Sequence, residues 1–175
     1  MTRNTKAPSP ASQLLAALLN GNVEHFNTLR RQHPEVQSIG KAGRGKRLAN
    51  KTLDGINLAG LTTWLKAIKN VTFIDSNLEG WTLEAAELTK VRFKSCRLRS
   101  GSWANCDLLE CTFMHSKLGG RMVFNTTFDR CVFVETSIAR LYGTRDARWE
   151  EVELDSEDQW LMLMRKLHPR IRISS

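Results

Sequence analysis

The chain has 175 residues, about the length of one domain, and its 26 Lys and Arg against 18 Asp and Glu give a formal net charge of +8 and a pI near 9.7. No apolar run approaches the ~20 residues that a membrane-spanning helix requires, so a helical membrane protein is excluded and a soluble one expected. The basic balance invites anionic partners and argues against imitation of a polyanion.

Met1 to Ser9 is polar and is expected to be a disordered tail. Pro10, with Ser9 as N-cap, then opens a helix whose apolar face is Leu14, Leu15, Leu18 and Leu19 and which Gly21 ends. A second helix follows, capped by Asn22, striped by Val23, Phe26 and Leu29, and stopped by Pro34 after Arg30, Arg31 and His33. The apolar run Leu14 to Leu19 behind Arg3 and Lys6 is too short for a secretory core and lacks an Ala-X-Ala site, so a cytoplasmic location is expected. Lys41 to Arg47, KAGRGKR, lacks the glycine spacing of a nucleotide-binding fingerprint and reads as a linker.

From Lys46 to Arg140 one five-residue unit is written nineteen times without a break in phase. The third position is almost always large and apolar, with Thr63 the one polar centre. The position two residues earlier is mostly small or a thiol from Val71 onward, as at Ser76, Ala86, Cys96, Gly101 and Cys106. A period of five suits neither a helix nor a flat strand and calls for a solenoid. Phe73, Phe93, Phe113 and Phe133 recur every twenty residues, so four units make one square coil. Leu58, Leu78, Leu98, Leu118 and Ile138 then line the second wall, and Leu48, Ile68, Leu88, Leu108 and Phe128 the fourth. Trp81, Arg121, Lys46, Lys51 and Lys66 stand where small residues are expected, which predicts irregularity in the third wall and the first coil.

Units such as SNLEG, INLAG and CDLLE resemble the pentapeptide-repeat family, written Ala-(Asp/Asn)-Leu-X-X. The resemblance implies an all-β, right-handed quadrilateral β-helix over residues 46–140. Residues 1–45 would supply an N-terminal helical cap and basic linker, and 141–175 a C-terminal extended segment and helical cap. In that last part Trp160, Leu163, Met164 and Leu167 share one helical face, which is expected to cover the final coil or to pair two chains as a homodimer.

Cys96, Cys106, Cys111 and Cys131 all take the small inward position and read as reduced core filler, at spacings that are multiples of five rather than those of metal ligands. Cys111 and Cys131 stack on adjacent coils, so spacing also allows a disulfide; a reducing cytoplasm favours thiols. His25, His33, His115 and His168 lie in different elements, and no nucleotide loop or carboxylate pair emerges. No enzymatic activity and no cofactor are expected.

Function then falls to the outward walls. The first carries an apolar strip of Ile74, Met114, Val132 and Val134, the third Trp64, Met122 and Phe124, and the fourth is mixed. The second is basic, with Arg97, Arg99, Lys117 and Arg140, and is continuous with Arg92 and Lys94 around the corner. Partner-binding candidates are Ile74, Met114 and Val134, together with Arg92, Lys94, Arg97, Arg99 and Lys117. The preferred reading is a non-catalytic protein-binding module, most concretely a bacterial immunity or antitoxin-type protein acting by stoichiometric association on a toxin or other enzyme. Two alternatives remain. The family resemblance also suggests a DNA-mimicking protein that binds gyrase, of the quinolone-resistance type, although 14 Lys and Arg against 9 Asp and Glu over residues 46–140 leave the coils at +5. Direct nucleic-acid binding would suit the basic charge but lacks outward aromatics among Arg97, Arg99 and Lys117.

Overall fold

Two helices of 11 and 10 residues open the described chain, and both are fixed by their ends. In the computed structural model, which describes residues 7–138, 140–142 and 146–155, α1 (Pro10–Asn20) has Ser9 Oγ accepting from Ser12 N and ends on Gly21 at φ 75°. Helix α2 (Val23–Gln32) begins with Asn22 Oδ1 accepting from His25 N at 3.0 Å, and Arg30 and Arg31 fall in its last turn, where cations suit the carbonyl end. Asn27 grips the first coil from α2: its Nδ2 donates to Gly55 O and its Oδ1 accepts from Asn57 N, both at 2.9 Å. Arg30 Nη2 donates to Ala59 O at 3.0 Å. The expected linker is partly structured, since Gly40–Gly43 forms a four-residue helix, α3, and the first strand begins at Arg47. The expected C-terminal helix, with Trp160, Leu163, Met164, Leu167 and His168, lies outside the described residues.

Every coil-to-coil pairing within residues 47–134 is parallel and in a register of twenty residues, as in Phe73↔Phe93↔Phe113↔Phe133. The fourth and first walls form one ten-stranded sheet, because Arg47–Asp54 and Ala67–Ile74 run through the corner as single strands. The third wall is a four-stranded sheet of Thr62–Thr63, Thr82–Glu84, Ser102–Ala104 and Met122–Phe124. The second wall is held by single bridges, Asn57↔Asn77↔Arg97↔Lys117↔Ser137. Sharp corners arise because the last residue of most units adopts left-handed backbone, from Asn50 at φ 54° to Glu135 at φ 44°. Such geometry costs a non-glycine residue roughly 1–2 kcal/mol, which the neighbouring ladder bonds offset. Asn side chains also bond coil to coil at corners, Asn70 to Asn50 at 3.0 Å and Asn125 to Asn105 at 2.9 Å.

Inside, the phenylalanines of the first wall stack with centroids 5.3, 5.0 and 4.6 Å apart. The repeat pattern stops at Arg140, but the ladder does not. Arg148–Glu150 pairs with Thr127–Asp129 and Glu153–Leu154 with Val132–Phe133, one residue out of the twenty-residue register, and Trp149 stacks on Phe128 at 4.2 Å.

The irregular third wall has a specific cause. Trp81 fills a position built for a small side chain, and its indole Nε1 donates to Thr63 Oγ1 at 3.0 Å, which accounts for the one polar centre in the repeat. Trp81 meets Trp103 edge-on at 6.4 Å, and Arg121, fully buried, lays its guanidinium 4.6 Å from the Trp103 ring centroid. At this corner both Ser100 and Gly101 have positive φ, 60° and 72°. Thr82 N and Met122 N each bond to the carbonyl of the preceding coil, Leu61 O and Gly101 O, but Ser102 N makes no such bond to Trp81 O. Arg121 supplies donors there: Nη1 to Trp81 O at 2.6 Å, Nε to Leu98 O at 2.8 Å and Nη2 to Leu78 O at 3.2 Å. An arginine in the core thus bridges a break in the backbone ladder, at the expense of a desolvated charge.

Candidate interaction surface

Among the described residues the chemistry-bearing side chains stay apart. His115 Nδ1 lies 3.0 Å from Glu135 Oε2 on the next coil and His33 Nδ1 lies 3.2 Å from Glu35, each as an exposed pair. Among the described residues no group of three His, Cys, Asp or Glu side chains could hold a metal ion. All four cysteines are free and buried. Their Sγ atoms face carbonyl oxygens, Cys96 toward Lys94 O at 3.3 Å and Cys111 toward Leu88 O at 3.5 Å. Burial pushes the Cys96 and Cys106 thiols up to about 11, and the neighbouring Cys111 thiol together with burial pushes Cys131 up. They are core thiols rather than nucleophiles.

On the outside, the twenty-residue register sorts residues into columns. The first-wall strip is interrupted, because Lys94 pairs with both Ile74 and Met114, and Ile74, Met114 and Val134 are half-buried by their neighbours. Arg92, Lys94, Arg97, Arg99 and Lys117 are all exposed, and the structure gathers them on two adjoining coils.

The third wall differs from the others. Met122 and Phe124 are 46 % exposed and Tyr142 61 %, and among the described residues these are the exposed large apolar side chains. Tyr142 sits beside Met122 through a parallel bridge. The pattern of units ends before Tyr142, yet counting twenty residues on from Met122 reaches it, a cue that the sequence reading passed over. Down the same wall the outward residues are Ala104, Ser102, Glu84, Thr82, Trp64 and Thr62, with Glu84 the one charged side chain among them. At its N-terminal end an open cleft of about 450 Å³ lies between Arg44, Trp64, Lys66 and Glu84, with the Arg44 guanidinium 4.9 Å from the Trp64 ring centroid.

These coils match the family described as pentapeptide repeat region over residues 51–123. Residues 51–123 of this chain are a pentapeptide-repeat region. Solved structures similar to the chain include a pentapeptide-repeat protein, Rfr23, from the cyanobacterium Cyanothece 51142, at 15 % identity over 70 % of this chain and 99 % of that one, with a TM-score of 0.38. A trypsin-treated variant of QnrB1, a plasmid-mediated fluoroquinolone resistance protein, aligns at 12 % identity over 71 % of this chain and 89 % of its own, with a TM-score of 0.23. No curated protein matches the sequence. Among the described residues, no helix is long and apolar enough to cross a membrane.

Proposed function

We propose that the protein is a non-catalytic binding module whose third wall docks a protein partner by stoichiometric association. The observation that carries this reading is the clustering of exposed Met122, Phe124 and, bridged to Met122, Tyr142 on a wall whose four strands carry a single charged side chain, Glu84, in a chain of net charge +8. Aromatic residues and Met are enriched at protein interfaces and charges are depleted at their cores, and an anchor set of this kind lies on backbone held rigid by the coils. The most concrete form is a bacterial immunity or antitoxin-type protein. It would act in the cytoplasm, a setting in which its four free thiols stay reduced. The basic coils weigh against a DNA mimic, because a substitute for a polyanion needs the opposite charge.

The test is capture from nuclease-treated host lysate with the wild type and with Phe124→Asp side by side. A protein retained in stoichiometric amount by the wild type and lost by the variant, with both melting alike, supports the reading. Equal retention by both removes the third wall as the docking face. Recovery of gyrase subunits would move the argument to the topoisomerase-binding alternative.

A further inference from the structure

Elsewhere on this molecule the coil register interleaves opposite charges. At the corner between the fourth and first walls, Glu110 lies between Lys90 and Arg130, 3.5 and 3.1 Å from their nitrogens. At the next corner the same register does the reverse. Arg92, Lys94, Arg97 and Arg99 all point outward from one coil, and Lys117 stands on Arg97 in the coil that follows. Residues two apart on a strand face are about 6.6 Å apart and adjacent coils about 4.8 Å. Five cations therefore crowd one corner, and none of them makes an ion pair within the described residues. Mutual repulsion at such spacing disfavours the free state, and an anionic partner relieves it.

The extent of the patch selects the partner. Toward the N-terminal end of the rod it is bounded by acids, Asp75 and Glu79, exposed on the coil before it; on the coil after Lys117 the exposed Glu135 and Arg140 are of opposite sign. A uniform polyanion lying along the rod would meet like charge within about one coil, roughly 5 Å, of the patch on its N-terminal side. A protein with a local acidic cluster would not. No aromatic side chain stands outward among the five cations, so base stacking has no platform. We infer that this corner, formed by Arg92, Lys94, Arg97, Arg99 and Lys117, is a docking surface for an acidic segment of a protein partner, separate from the apolar third wall.

The full-length protein is titrated into a fluorescently labelled peptide of about ten glutamates, at about 50 and about 200 mM salt, and anisotropy is read. Arg97→Glu with Arg99→Glu is compared with Arg47→Glu and Lys69→Glu, which makes the same change in net charge on the exposed fourth wall. The expected result is peptide binding weakened about tenfold or more by the corner pair and clearly less by the fourth-wall pair. Phe124→Asp, on the third wall, separates this surface from the one proposed above: peptide binding that survives this variant, whatever the lysate capture shows, keeps the corner inference standing alone. Equal losses from the two charge-reversed pairs would overturn the inference, since net charge and not the corner would then govern binding. So would tighter, corner-dependent binding of a labelled DNA duplex of about 20 base pairs, which would assign the corner to nucleic acid.

Discussion

Replacing Arg121 by Met tests how the core tolerates a charge. Burial pushes the Arg121 guanidinium down to about 9 from 12.5, so it stays charged at neutral pH and the folded state bears the cost. A drop of this size corresponds to roughly 5 kcal/mol at ~1.36 kcal/mol per unit. Against that relief, Arg121→Met removes three hydrogen bonds. Leu78 O still accepts from Trp81 N at 3.1 Å, but Trp81 O and Leu98 O lose the donors that Arg121 gave them. Two stranded carbonyls cost about 1–3 kcal/mol each, so at pH 7 the opposing effects offset to within about 3 kcal/mol. The pH dependence is sharper. Below the folded pKa both states hold the proton and the penalty is full; between about 9 and 12.5 the unfolded state binds more protons, so wild-type stability rises with pH. Paired urea melts at pH 8 and pH 10.5 should show the wild type gaining about 2 kcal/mol on Arg121→Met, a comparison that cancels the other titrating groups to first order. A stability difference that is the same at both pH values would refute the reasoning, for it would mean that the carbonyls and the Trp103 face keep the guanidinium protonated.

Gly101→Ala should cost more than about 3 kcal/mol, because a Cβ there would meet Gly80 C and Trp81 O at 2.7 Å on backbone at φ 72°. Gly55→Ala, at φ 69° with nothing within 4 Å, should cost only about 1–2 kcal/mol; equal losses in urea melts would show that backbone conformation and not contact governs both sites. The four thiols should resist a disulfide reagent at pH 8 in the folded protein and react together after denaturation, since all four are buried, burial holds Cys96 and Cys106 near 11, and the neighbouring Cys111 thiol together with burial pushes Cys131 up. Rapid reaction of any of them in native buffer would show that the coil opens locally.

Much of this protein was legible in its sequence because a solenoid writes its geometry as a period. The twenty-residue recurrence of Phe73, Phe93, Phe113 and Phe133 fixes which residues share a wall, and the observed pairing keeps that register. The same count places Arg92, Lys94, Arg97, Arg99 and Lys117 together without any coordinates. A repeat contacts only its neighbours, so local spacing is nearly the whole of its topology. Three things needed the tertiary structure. Thr63, Trp81 and Arg121 look like separate flaws in the pattern, at intervals of 18 and 40 residues, and become a connected set only when the hydrogen bonds from Trp81 to Thr63 and from Arg121 to Trp81 O are seen. The ladder beyond Arg140 was hidden because it slips by one residue, and a strict period cannot follow a slip. The rank of the walls was hidden as well: Ile74, Met114 and Val134 are screened by the side chains beside them, whereas Met122, Phe124 and Tyr142 stand clear. Sequence period determines which way a side chain points, but its exposure depends on the size and reach of neighbours twenty residues away on each side, and only the assembled coils decide that.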